Sequence, residues 1–518
     1  MALNSYAFIF LFLPIVLAGY YALTRLFQDQ RPALVWLVAS SLLFYGLRGP
    51  GYLLVLIGSV GGNFLAAKAM GRFPEGSRNR RRLLALGIIA NLVLLFTYKY
   101  TGFFADNLNA LFGTHLTSPI SAYPVGLSFY TFIQIGFLID VYVGQVEKLT
   151  FLRYSLFGMF FPYITSGPIV RHSEISAQLD TPVRERTGAT QLAVGLTMFA
   201  MGLFKKAVLA DMLAPYVNTM FSTVAGHHAV SANNAWIAVL AYTFELYFDF
   251  SGYTDMALGL GYALGLRLPM NFNSPLRATS LIDFWRRWHM TMVRFFTSYV
   301  YTPLAATMMR RSFRRGHSEP VRLLTVVCLP VFVTFVLVGW WHGAAWGFII
   351  SGAIHGIALS VNLTWRELQA KYTLRRIPTP VGWALMFLTV MFSLIFLRAD
   401  GVRSAFTVAG TMLGIAHQGS TGISAFYGTQ RLFNAFTIAP VLFWLLLAAA
   451  VALLVPRNSQ QILADYDVAL PSLPSLEKEP RFRMAWRPTP SWALAAAVVG
   501  GCALTFVGGA SPFLYYKF

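Results

Sequence analysis

Residues 323–341 read LLTVVCLPVFVTFVLVGWW and run straight into His342-Gly343-Ala344-Ala345-Trp346, after which a second apolar stretch continues to Leu363. No Asp, Glu, Lys or Arg interrupts the first run. Its length is close to the roughly 20 residues an α-helix needs to cross about 30 Å of hydrocarbon, so it predicts a transmembrane helix. His342 closes that run, and His355 lies inside the next. An imidazole in such a stretch is costly to desolvate and titrates near neutrality, which makes it a functional-site candidate. The other reading is a histidine bonded to a backbone carbonyl, holding two helices together.

Working outward, apolar runs of similar length recur at Tyr6–Leu23, Ala33–Leu47, Tyr52–Ala67, Leu83–Thr97, Leu192–Leu213, Ala235–Leu264, Val381–Leu397, Phe433–Val455 and Trp492–Val507. Of 518 residues 56% are hydrophobic and only 12% are charged. A soluble domain of that size would have a mostly apolar surface. The expectation is an all-α polytopic membrane protein of about 10 to 13 transmembrane helices, on the length argument, joined by re-entrant or interfacial segments. The first run has no basic flank before it and no small-x-small site after it, so it reads as a retained span. Cys328 and Cys502 fall within apolar runs and read as buried thiols. No metal pattern is present, so no metal is expected.

The net charge of +20 is concentrated in short loops: Arg72, Arg78, Arg80, Arg81 and Arg82; Arg310, Arg311, Arg314 and Arg315; Arg366, Lys371, Arg375 and Arg376. That is the positive-inside bias of cytoplasmic loops rather than a nucleic-acid footprint. With the 72–82 loop inside and three spans before it, the N-terminus is expected on the outer side of the membrane. Between Ala122 and Pro168 the pattern breaks into Pro, Gly, Ser and aromatics. Irregular backbone at membrane depth is tolerated only inside protein or beside water, so this segment predicts a re-entrant or broken helix lining a cavity. Residues 172–187 read as polar and cytoplasmic, and 456–488 as a polar loop before the last span.

Three blocks carry candidate chemistry. Over 283–296 a helical wheel places Trp285, Trp288, His289, Met292 and Phe296 on one face and Asp283, Arg287 and Arg294 on the other. This predicts an interfacial helix with His289 as the titratable group on its apolar side. Asp283 and Arg287 are spaced for an i,i+4 pair. In Ala235–Leu264, Glu245 and Asp249 are also i,i+4 neighbours, amid Tyr242, Tyr247 and Tyr253, and carboxylates there need an interior arginine, water or a proton-transfer role. At His342, Gly343, Ala344 and Ala345 allow close approach, while Trp340, Trp341 and Trp346 supply rigid walls. Acyl transfer needs a base for a hydroxyl proton, donors for the oxyanion and exclusion of water. No Ser, Cys or Asp close in sequence forms a nucleophile–base pair with His342, so direct transfer with a histidine base is the simplest mechanism.

FIFLFLP at 8–14, PVGLSFYTF at 124–132, Gly167-Pro168, YFDFSGYTDMA at 247–257, DFWRRWH at 283–289, WHG at 341–343 and FLRAD at 396–400 follow one another in order. Together they resemble the membrane-bound O-acyltransferase (MBOAT) family, in particular its bacterial branch that acetylates exported polysaccharides. The resemblance implies a single integral membrane domain over 1–518, with a core at about 122–400, N-terminal spans in 1–121 and C-terminal spans in 401–518. It implies a ring of helices around a tunnel, His342 and His289 as catalytic residues, and a tunnel wall including Trp340, Trp341, Trp346, Trp285, Trp288, Asp249 and Tyr253. It also implies acetyl-CoA as donor, an alginate- or cellulose-like acceptor, membrane lipids around the protein, and as partners a periplasmic esterase-like acetyltransferase and a polysaccharide synthase. Transfer of D-alanine to an envelope polymer, and movement of acyl groups or polymer without catalysis, are the alternatives. One departure stands out. Where such proteins carry W-x-R-D-Y-x-Y-x-P-L-G-G, this chain reads FFTSYVYTPLAA at 295–306, so donor docking or partner contacts on the cytoplasmic side are expected to differ.

Overall fold

The computed structural model describes residues 1–118, 123–146, 148–415, 435–473, 484–508 and 513–514. Ala122, Phe433 and part of the 456–488 loop therefore lie outside the described residues. Helices dominate, because in hydrocarbon every backbone N–H and C=O must find its partner within the segment. Among the described residues seven helices are long and apolar enough to cross a membrane: Phe8–Leu26, Pro50–Met70, Arg78–Phe112, Ala189–Ala210, Glu319–His342, Trp346–Tyr372 and Thr379–Arg398. Shorter apolar helices occupy Arg31–Gly46, Leu127–Tyr142, Pro440–Leu453 and Pro490–Phe506. Large apolar side chains stay exposed along them, among them Phe10, Leu54, Leu86, Leu324, Val361, Leu446 and Leu494. On a chain of this composition such a surface is the face presented to lipid.

The centre of the molecule is the 32-residue helix Ala232–Ala263, about 48 Å long at 1.5 Å per residue and buried along almost its whole length. It packs on Ala189–Phe204 through glycines. A Cβ added at Gly195 would lie 2.5 Å from Gly259 O, and one at Gly202 would lie 2.6 Å from Gly252 O. These small positions bring the two backbones into direct contact, the usual means of close packing between membrane helices. Two carboxylates of the central helix, Asp249 and Asp255, find lysine partners at this contact, while Glu245 Oε2 has no hydrogen-bond partner among the described residues. Lys206 bridges Asp249 and Asp211, the latter at 2.8 Å. Lys205 reaches Asp255 at 2.5 Å and Ser459 at 2.6 Å. The counterion of Asp249 is thus a lysine, not the arginine anticipated.

Arg80 donates to Val141 O at 2.6 Å, and Arg184 to Thr24 O at 2.7 Å. Lys371 pairs with Glu319 at 2.6 Å, linking the start of Glu319–His342 to the end of Trp346–Tyr372. The last two helices are therefore an antiparallel hairpin, with the 310–322 and 364–378 segments at one end, as the charge pattern requires.

The 122–168 segment proves more regular than its composition predicts. It contains the helices Leu127–Tyr142 and Phe151–Met159, followed by turns through Phe161–Gly167. Both helices are buried within protein, which is why their Gly, Ser and Thr content is tolerated at depth. The 456–473 part of the polar loop folds back onto the core. Ala469–Leu470 pairs in parallel with Leu268–Pro269, and Gln460 donates to Asp255 at 2.8 Å. Both cysteines are free, but Cys502 is exposed and Cys328 only partly buried, since the apolar runs that hold them turn those positions outward.

Candidate active site

The continuous interfacial helix expected over 283–296 does not form. Leu281–Trp285 is one short helix and Met290–Phe296 another, and His289 sits between them with φ +44°. A left-handed backbone at a non-glycine residue is unfavourable and persists only where its surroundings hold it. Here the preceding link does so. Asn273 N–H donates to Arg287 O at 2.9 Å, and Met290 N–H to Asn271 O at 3.0 Å. The Asp283–Arg287 pair forms at 2.8 Å. The break turns His289 into the core, fully buried, instead of along a membrane interface.

Asn271 defines the protonation of that ring. Its Oδ1 accepts from Thr291 N–H at 3.2 Å and Thr291 Oγ1 at 2.9 Å, and lies 3.1 Å from His289 Nδ1. A backbone N–H can only donate, so the contacting atom is the carbonyl oxygen and His289 carries its proton on Nδ1. The Nε2 lone pair then faces away from Asn271. Thr291 Oγ1 accepts in turn from Ile169 N–H at 3.0 Å, which ties the Gly167-Pro168 turn to the same cluster. Nothing in the sequence singled out Asn271 or Thr291 as members of this site. The only signal was the turn-rich 269–275 link directly upstream of the WRRWH block.

His342 is the last residue of Leu329–His342, and Gly343 leaves the helix in extended conformation. A Cβ on Gly343 would run into the Phe348 ring, and one on Gly339 would stand 3.0 Å from Gly352 Cα. The small residues around His342 thus let the hairpin close. The ring centroids of His289 and His342 stand 6.2 Å apart, and Trp341 lies 6.2 Å from His289. Two blocks far apart in sequence therefore meet at one point.

Beside His342 is a cavity of about 50 Å³, lined by His342, His355, Trp285, Trp288, Thr243, Ser351 and otherwise apolar residues. A single water needs roughly 10–15 Å³ on this measure, so the space suits a few waters or a two-carbon acyl group. Ser393 Oγ donates to Val390 O at 2.7 Å and so accepts from His355 Nε2–H, also at 2.7 Å. That places a lone pair on His355 Nδ1. His355 Nδ1 and Trp285 Nε1 have no hydrogen-bond partner among the described residues. Both belong to side chains more than nine-tenths buried.

The other anticipated wall residues are distributed differently. Trp341 stacks on Phe132 at 4.9 Å, and Trp340 packs against Tyr100 at 5.2 Å. Trp346 is half exposed and donates to Asn107 Oδ1 at 2.9 Å, just after the turn of the hairpin. Asp249 and Tyr253 are absent from the lining of this cavity. Asp249 is taken up by Lys206 and accepts from Leu514 N–H at 3.0 Å. Tyr253 bonds Thr165 at 2.5 Å and stacks on Phe513, which leans on Phe250, the ring edge-on to His289. Tyr253 thus belongs to the column of rings behind His289. A separate narrow cleft is lined by Asp140, Arg171, Arg294, Tyr299 and Thr291. Among the described residues no group of His, Cys, Asp and Glu is placed to hold a metal ion.

The family model described as MBOAT, membrane-bound O-acyltransferase family, matches residues 128–398, a span that includes both histidines and the cavity. A peptidoglycan O-acetyltransferase of Helicobacter pylori is 35% identical over 437 residues, 80% of each chain. A probable alginate O-acetylase of Pseudomonas aeruginosa is 30% identical over the full length of both chains. A teichoic acid D-alanyltransferase of Streptococcus thermophilus is 27% identical over 49% of this chain and 59% of its own. The chain is an O-acyltransferase and a multi-pass membrane protein belonging to the membrane-bound O-acyltransferase family.

Proposed function

We propose that this protein carries acetyl groups from cytoplasmic acetyl-CoA across the inner membrane for O-acetylation of an exported or cell-envelope glycan, with the N-terminus on the periplasmic side. The observation that carries the reading is the meeting of His289 and His342 beside a buried cavity sized for a small acyl group. In this mechanism His342 takes the proton of an acceptor hydroxyl as its oxygen attacks the thioester carbonyl. The C–S bond then breaks, and the proton passes to the leaving thiolate. His289, with its proton held on Nδ1 by Asn271, orients or relays. Trp285 Nε1–H, on the same cavity wall, is a donor available to the oxyanion. Trp341 and its stacked neighbours exclude water. By analogy with the acetylases, a periplasmic esterase-like acetyltransferase receives the group and delivers it to polymer made by a synthase partner.

Acetyl ester content of the exported polymer, in a deletion strain complemented with wild type or His342→Ala at equal protein level, tests the reading. Ester loss with polymer still made is the expected outcome. Esters surviving in the His342→Ala strain would remove His342 as base.

A further inference from the structure

The last four carbonyls of an α-helix have no partner within it. For the helix that ends at His342, three of them are met by two adjacent residues from another part of the chain. Tyr100 Oη donates to Trp340 O at 3.1 Å. Lys99 Nζ donates to Trp341 O at 2.7 Å and His342 O at 3.0 Å, and its third contact is Ser128 Oγ at 3.3 Å. Lys99 Nζ thus meets three oxygens at the C-terminal, negative end of the helix dipole. Lys99 and Tyr100 belong to the π-helical turn Phe96–Tyr100 in the long helix Arg78–Phe112. Such a bulge rewinds the helix locally, and bulges of this kind gather at functional sites. The Tyr100 ring also packs on Trp340, so the turn grips both backbone and side chain of the WWH segment. Both residues lie outside the 128–398 region matched by the family model.

We propose that Lys99, aided by Tyr100, is a positioning residue for acyl transfer: it clamps the terminal carbonyls of the His342 helix and so holds the imidazole at the cavity wall, its ring 6.2 Å from that of His289. The proposal rests on the reading of His342 as base. The helical ladder itself loosens at this turn, since Gly343 N–H reaches Gly339 O only at 3.4 Å and Gly343 is extended. A misplacement of about 1 Å in a reacting group costs on the order of 100-fold in rate.

The test compares wild type, Lys99→Met, Lys99→Arg and Tyr100→Phe in two measurements. The first is CoA release from acetyl-CoA by membrane vesicles holding the complete acetylation machinery, with the protein at matched level. The second is hydrogen–deuterium exchange on the purified protein, comparing a peptide spanning 336–345 with one spanning 379–398. Lys99→Met is expected to lower the maximal rate ~10- to 100-fold while KM for acetyl-CoA stays within ~2-fold. Exchange should quicken in 336–345 alone, Lys99→Arg should recover much of the rate, and Tyr100→Phe should show the same pattern at smaller amplitude. A Lys99→Met rate near wild type overturns the proposal. So does a raised KM at unchanged maximal rate, exchange that quickens throughout the chain, or a silent Tyr100→Phe. Transfer surviving in His342→Ala would instead defeat the base assignment, while the exchange pattern would still report whether Lys99 holds the turn.

Discussion

Replacing Asn271 by alanine should disable the site without touching either histidine. Its Oδ1 takes three donors, from His289 Nδ1–H, Thr291 N–H and Thr291 Oγ1–H, and all three residues are buried. The threonine hydroxyl can rotate to another acceptor, but the two N–H groups cannot. A buried donor left without an acceptor costs ~1–3 kcal/mol, so the local loss is about 2–6 kcal/mol before any water enters. The positive φ of His289 adds to the pressure for the turn to relax. Even 3 kcal/mol spent on reorganising the turn corresponds to roughly a 100-fold loss of the competent arrangement, at 1.4 kcal/mol per factor of ten. Asn271→Asp keeps the acceptor and should retain far more activity than Asn271→Ala. The assay is CoA release by vesicles at matched protein level, together with the thermal midpoint of the purified protein in detergent. If Asn271→Ala turned over at the wild-type rate with an unchanged midpoint, the claim that this amide holds the ring and its tautomer would be refuted.

Two further outcomes concern stability. Lys206→Met should lower the thermal midpoint sharply, since stranding one partner of a buried pair costs about 3–5 kcal/mol, and adding Asp249→Asn should restore part of the loss. A double variant no better than the single would show that the pair is not the coupled unit described. His172, buried at the start of the polar 172–187 segment, has its pKa pushed down to about 4, chiefly by burial and then by Arg153. It is neutral in the folded state, so its contribution is full above about 6.5 and is lost as pH falls toward 4. The midpoint of wild type should fall between pH 7 and pH 5, and that of His172→Gln should fall less. Equal slopes would rule out His172 as a source of the pH dependence.

The helical membrane architecture was legible in the chain because lipid leaves the backbone one local solution, and a long uncharged run announces it wherever it occurs. His342 and His289 were legible as imidazoles in apolar surroundings. The wheel put Trp285, Trp288 and His289 on one face, but it assumed a helix that the structure interrupts, and of the three only the two tryptophans line the cavity. What the periodicity could not contain was the reason for that interruption. The bonds from Asn271 and Asn273 that force His289 into a left-handed turn come from a link outside the window being read. The same holds for Asp249, whose spacing to Glu245 was visible but whose counterion, Lys206, lies on the neighbouring helix. Trp346 read as a tunnel wall by its place in the motif, and only the hairpin geometry shows it half exposed beside Asn107. Local pattern determined which segments become helices and which residues are expensive to bury. Tertiary packing alone decided which of those residues meet, because a hydrogen bond or ion pair across helices depends on positions in space that no single segment encodes.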